Sequence, residues 1–211
     1  MKHTPETSLV RSLASESLAE SLSNVADTSL DAAIDSGVLD GIPVIGLLTG
    51  VMKATREIRE TIFLRKIARF LQEISLAPIE ERRSFVERFE DEKQQHRFGE
   101  AIILLLDRAD DMGKPRIVGR IVRALALGDI EYRVGLRLAR MVDRCYLEDL
   151  ELLKRFVPGT QGDMTSIAET LFSAGFLTNT GFDGGDAAGK NAGATYALNE
   201  YAELLVKYGL V

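Results

Sequence analysis

Phe63-Leu64-Arg65-Lys66-Ile67-Ala68-Arg69-Phe70-Leu71-Gln72-Glu73-Ile74 returns to an apolar residue every third or fourth position. On a helical wheel Phe63, Leu64, Ile67, Phe70, Leu71 and Ile74 gather on one side, and Arg59, Arg65, Lys66 and Arg69 on the other. A stripe of this width buries one face of an α-helix and leaves its charged face outside. Upstream, Gly37 and Gly41 break the preceding element and Pro43 suits the first turn of a new helix. The pattern then runs without a breaker from Val44 to Ile74, which predicts one helix of about 45 Å at the usual rise per residue.

Working outward, Pro78 followed by Ile-Glu-Glu starts a helix with acids in its first turn, carrying Phe85, Val86 and Phe89 inward and closing at Glu90-Asp91-Glu92. Further helices are expected from Gln94 to the Asp110-Asp111 turn, from Pro115 to Leu127, and from Ile130 to Phe156. No segment before Pro158 alternates with period two, so residues 37–157 read as an all-α helical bundle. Residues 1–36 carry only a thin stripe, Leu9, Leu13, Leu18, Leu22, Val25, Leu30 and Ile34, among Ser and Thr that weaken an isolated helix. They read as an amphipathic N-terminal arm that orders on docking to the body or to another copy. After Pro158-Gly159 glycine and threonine rise, and residues 158–211 follow the order helix, short strand, glycine loop, short strand, helix. That is the order of part of a winged-helix unit, so a small winged-helix-like C-terminal subdomain is expected.

The 211 residues carry a net charge of −6, with 45% hydrophobic and 27% charged side chains, values that exclude collagenous, disordered and multi-span membrane classes. A lone Cys145 cannot form an internal disulfide, and with only His3 and His96 there is no zinc-ligand set. The first 22 residues lack the basic and apolar regions of a secretory signal, so a cytoplasmic protein is expected. The longest nearly apolar run, Ile42 to Met52, has eleven residues where a membrane-spanning helix needs about 20. Charge alternates in blocks: −5 over residues 1–52, +4 over 53–69, −5 over 70–113, +5 over 114–144 and −5 over 145–211. Such blocks can satisfy one another within a molecule or between copies.

Catalytic chemistry finds little footing. Gly184-Gly-Asp-Ala-Ala-Gly189-Lys190 has the spacing of a phosphate-binding loop, but Asn191 stands where a magnesium-binding hydroxyl belongs. It lacks the strand before and the long helix after, and is expected to be a surface loop. Carboxylates such as Glu87, Glu90, Asp91 and Glu92, or Asp107, Asp110 and Asp111, lack the Glu-x-x-His register of a dimetal bundle. Cys145 shares an apolar stripe with Leu138, Met141 and Val142 and reads as a buried small hydrophobe. The expectation is a non-enzymatic interaction protein with no cofactor and no metal.

Two surfaces carry that interaction reading. Gly37, Gly41, Gly46 and Gly50 recur every four or five residues in an apolar setting, as small residues do where helices pack closely, and a basic amphipathic stretch with Arg59, Arg65, Lys66 and Arg69 follows. This element suits self-association into a homo-oligomer, a protein partner, or an anionic membrane at the inner face of the inner membrane. Alternatively, Arg120 and Arg123 on one expected helix and Arg133, Arg137, Arg140 and Arg144 on the next fall at three- or four-residue spacings within each helix and could line a nucleic-acid groove. Against the latter stand the negative net charge and the −5 of the C-terminal segment.

Gly41-Ile-Pro-Val-Ile-Gly-Leu-Leu-Thr-Gly-Val51, Arg56-Glu-Ile-Arg-Glu-Thr-Ile-Phe-Leu-Arg-Lys66, and Leu104-Leu-Leu-Asp107-Arg-Ala-Asp-Asp-Met112 with Lys114-Pro are similar to segments of a group of uncharacterised bacterial helical proteins. Leu171-Phe-Ser-Ala-Gly-Phe-Leu177 and Tyr196-Ala-Leu-Asn-Glu-Tyr-Ala-Glu-Leu-Leu205 resemble the tail of the Abi-alpha family, which is associated with abortive phage infection. The resemblance implies an accessory or effector protein of bacterial phage defence and brings no catalytic residues with it.

Overall fold

A computed structural model describes residues 4–22, 27–55, 58–160, 165–185 and 192–211 of the chain. They fall into two compact units, Met1–Glu131 and Tyr132–Val211, divided upstream of the Pro158 boundary expected from composition. The first unit is entirely helical among its described residues. Its α-helices are α1 Pro5–Leu13, α2 Glu16–Leu22, α3 Asp27–Asp35, α4 Pro43–Thr55, α5 Ile58–Ser75, α6 Ile79–Glu87, α7 Glu92–Arg108 and α8 Lys114–Leu127, with a 3-10 turn at Val38–Gly41. The stretch expected as one helix from Val44 to Ile74 is carried by α4 and α5, and their junction at 56–57 lies outside the described residues.

The expected arm belongs to the core of this unit. Ser8, Leu9, Val10, Ser12 and Leu13 of α1 are all buried, and α1 packs on both α4 and α7. The leucine stripe looked thin because serines complete the buried face. Ser12 Oγ donates to the Ser8 carbonyl at 2.8 Å and accepts the Val44 N–H at 3.0 Å, so it caps the first turn of α4 from another helix. Gly99 of α7 lies against the Glu6 carbonyl, where a Cβ would find no room. At the other end of α1 the buried Arg82 guanidinium donates to the carbonyls of Leu13 at 2.7 Å, Ser15 at 3.0 Å and Ala77 at 3.1 Å. Burial first, then the neighbouring Arg83, holds its pKa below the usual arginine range. The predicted face of α5 is buried at Leu64, Ile67, Phe70, Leu71 and Ile74, and Gly119 lets α8 approach to where a Cβ would stand 2.6 Å from the Phe70 carbonyl oxygen.

The second unit holds α9 Tyr132–Asp143, α10 Leu147–Leu152, a 3-10 turn Leu153–Arg155, β1 Gly159–Thr160, α11 Thr165–Ala174, β2 Leu177–Asp183, β3 Gly193–Leu198 and α12 Glu200–Tyr208. The single helix expected from Ile130 to Phe156 is therefore broken. The last turn after α9 tightens, with Arg144 N–H on Met141 O and Cys145 N–H on Val142 O, and Tyr146 is extended before α10 begins. Neither Gly nor Pro marks the break, and the apolar spacing runs straight through it. The strands form an antiparallel sheet of order β1-β3-β2, with Gly159 opposite Tyr196 and Leu177 opposite Leu198. Among the described residues the protein is thus mainly helical, with one small sheet in the C-terminal segment where short strands are expected. Residues 186–191 of the glycine loop, Lys190 included, lie outside the described residues.

Candidate functional site

The site is built on α9, whose sequence sorts its residues cleanly by face. Gly135, Leu138, Ala139, Met141 and Val142 are buried, while Arg133, Arg137 and Arg140, with Arg144 just beyond the helix, are exposed. At 1.5 Å per residue these arginines step along the axis by about 6, 4.5 and 6 Å. They line a cleft of about 460 Å³ together with Tyr132, Leu136, Met141 and Ala174.

The opposite wall is placed by the end of α11. Gly175 adopts φ +97°, and the Gly175 and Phe176 N–H groups return to the carbonyls of Phe172 and Leu171, which turns the chain and leaves Ala174 at the cleft. Asn199 Nδ2 donates to the Gly175 carbonyl at 2.7 Å while its Oδ1 accepts the Tyr201 and Ala202 N–H groups, so one side chain fixes this turn and caps α12. A Cβ on Gly175 would lie 3.3 Å from Met141 Cε, so the same turn seats the cleft floor. From α12, the Tyr201 ring sits 4.9 Å under the Arg137 guanidinium.

No ion pair joins Arg133, Arg137, Arg140 or Arg144 to a carboxylate among the described residues. The other predicted basic residues are engaged differently. Arg120 and Arg123 belong to the first unit, where they reach Glu73 at 3.1 and 3.7 Å. On α5, Arg65 pairs with Asp31 at 3.0 Å, Arg59 with Asp107 at 3.4 Å, and Lys66 Nζ donates to the Asp107 carbonyl at 2.9 Å, while Arg69 is half-buried. These contacts join the basic block to the acidic blocks on either side of it. Ile58 and Ile62 of the same helix are nonetheless exposed.

Of the four glycines read as packing residues, Gly46 lies against the Asp40 carbonyl, where a Cβ would find no room, and a Cβ on Gly37 would stand 3.3 Å from the Asp40 carboxylate. Gly37 is needed for its left-handed φ of +76°, and nothing stands within 4 Å of a Cβ at Gly41 or Gly50. Cys145 is buried, and no group of three or more His, Cys, Asp or Glu suited to a metal ion occurs among the described residues. No helix among them is long and apolar enough to cross a membrane.

Spacing singled out the arginines of α9 but not Tyr132, Leu136, Met141, Ala174 or Tyr201, which complete the site. Tyr132 did carry a signal, standing one residue before the first arginine of the run. Searches against family models, curated proteins and solved structures find no match to this chain.

Proposed function

We propose that the chain is a non-enzymatic nucleic-acid-binding protein whose second unit grips the phosphate backbone with Arg133, Arg137, Arg140 and Arg144. The observation that carries this reading is the row of four exposed guanidiniums along one cleft with no carboxylate paired to them among the described residues. Like charges three or four residues apart repel in the free protein, and a polyanion relieves that repulsion while releasing its own counterions. The exposed aromatic side chains among the described residues, Tyr132, Tyr146, Phe172 and Phe182, also all lie in this unit. Basic residues interleaved with exposed rings suit nucleic acid better than a bare anionic surface.

The reading extends to a winged-helix-like tail, supported by the strand order β1-β3-β2 with α11 between β1 and β2. In this version the arginine helix, rather than α11, holds the ligand. Titrating fluorescent oligonucleotides into the full chain at low and high salt tests the proposal. Salt-sensitive binding that the arginine substitutions abolish supports it, and absence of binding at low salt refutes it.

A second reading keeps a protein partner, another copy or an anionic membrane on α5. Ile58 is 80% exposed beside Arg59, an arrangement that suits a covered surface. A role in phage defence rests on the family resemblance. Co-sedimentation with anionic vesicles tests the membrane version, and wild-type protein that stays in the supernatant removes it.

A further inference from the structure

Resting on the nucleic-acid reading, we infer that the α9 cleft takes a single strand rather than a duplex, with one unpaired base seated over Leu136, Met141 and Ala174 beside Tyr132. The phosphates on either side of that base run along Arg133, Arg137, Arg140 and Arg144.

Three features of the site carry this. The first is shape. A duplex presents phosphates on the outside of a rod and keeps its base faces stacked within, so it has nothing apolar to place in a recess. The cleft is concave, and its lining includes the buried, apolar Met141 and Ala174 between the charged side chains. At about 460 Å³ it has the size of a small-ligand pocket, enough for a nucleotide unit and far too small for a helix.

The second is the chemistry of the wall. Tyr132 and the flat guanidiniums of Arg133 and Arg140 can stack on a base, Arg137 already lying over the Tyr201 ring, and stacking is open only to bases that are not already stacked on their neighbours. The third is what α11 lacks for duplex reading. Thr165-Ser-Ile-Ala-Glu-Thr-Leu-Phe-Ser-Ala174, the helix of α11, contains Glu169 and no Lys or Arg, so it offers no cation to the groove walls of a duplex.

The test is fluorescence polarisation on the full chain with a labelled single strand of about 12 nucleotides, as DNA and as RNA, against the same sequence as a duplex. A strand with an abasic centre and a mononucleotide competitor complete the set. The inference predicts at least tenfold tighter binding of the intact strand than of the duplex or the abasic strand, with little competition from the mononucleotide. Tyr132→Ala should cost at least fivefold on the intact strand and little on the abasic one, while Tyr132→Phe keeps the wild-type preference. Should Tyr132→Ala fail to fold, the abasic comparison decides alone, because it alters only the ligand. Equal or tighter binding of duplex, or equal binding of the abasic strand, overturns the single-strand assignment and leaves the nucleic-acid reading standing. A mononucleotide that binds as tightly as the strand also overturns it, by making the cleft a free-nucleotide site. Binding of none of these probes overturns both.

Discussion

Replacing Arg133, Arg137, Arg140 and Arg144 with Gln, one at a time and then together, should change the salt dependence of binding in countable steps. If each guanidinium neutralises one phosphate of a single strand, the slope of log K against log salt is about −0.7 per contact, or about −2.8 for the four. Between 50 and 200 mM salt, wild-type affinity should then fall by about 50-fold. Each single substitution should flatten the slope by about 0.7, and the quadruple variant should bind with almost no salt dependence. Stability provides the control. The three neighbouring like-charge pairs along the row each cost about 0.2–0.5 kcal/mol in the free protein, and the Arg137–Tyr201 contact returns about 0.5 kcal/mol. The quadruple variant should therefore stay within about 1 kcal/mol of wild type in thermal denaturation. Polarisation titrations across a salt series supply the slopes. An unchanged slope in the quadruple variant would show that the phosphates are held elsewhere and refute the reasoning.

In the first unit, Gly119→Ala should destabilise by about 2 kcal/mol because its Cβ would meet the Phe70 carbonyl and Glu73 Cβ, whereas Gly50→Ala, with open space around it, should gain about 0.5–1 kcal/mol; urea denaturation of the two reads the contrast. Arg82→Met should cost about 3 kcal/mol by stranding the carbonyls at the end of α1, and Arg82→Lys should restore little because a single Nζ cannot stand at both the Nε and the Nη1 positions; thermal melts followed by circular dichroism measure both. Asp110 is held below the usual carboxylate range, chiefly by its hydrogen bond from Lys114 at 2.6 Å. A depressed folded pKa gives stability that is present above the unfolded carboxylate value and lost as pH falls through the folded one. Asp110 is largely exposed, so Asp110→Asn should cost at most about 1 kcal/mol at pH 7, and that difference should vanish by about pH 2 in denaturation measured across the acid range.

What the sequence disclosed follows from which interactions are local. The starts of α6 and α7 and the end of α8 are set within a few residues, by Pro78, Asp91 and Gly128, and they are readable to within about two residues. The break after Asp143 has no such mark, because the tightened turn at Arg144 and Cys145 keeps the apolar spacing in phase. The stripe of the N-terminal segment looks thin in the sequence because Ser8 and Ser12 count as polar by composition; of the two docking partners expected for it, the body is the one that α1 packs on, through α4 and α7. In the structure both serines are buried, with Ser12 satisfied by Ser8 O and Val44 N–H.

The arginine run shows the same limit at the candidate site. Spacing alone grouped Arg120 and Arg123 with the arginines of α9, but Glu73, about 50 residues earlier in the chain, claims the first two. The one hint was Glu73 itself, an acid set among the apolar positions of α5. Which cations remain unpaired depends on tertiary neighbours, and so does the apolar floor that Met141 and Ala174 supply.

The most direct measurement of the central claim is photo-crosslinking of a single strand carrying thio-substituted bases, followed by peptide mapping of the attached residues. The account predicts adducts within Tyr132–Arg144 and at the Ala174 turn, lost when the four arginines are replaced. Adducts concentrated on α5, or on the Gly184–Gly193 loop, with none on α9, would contradict it.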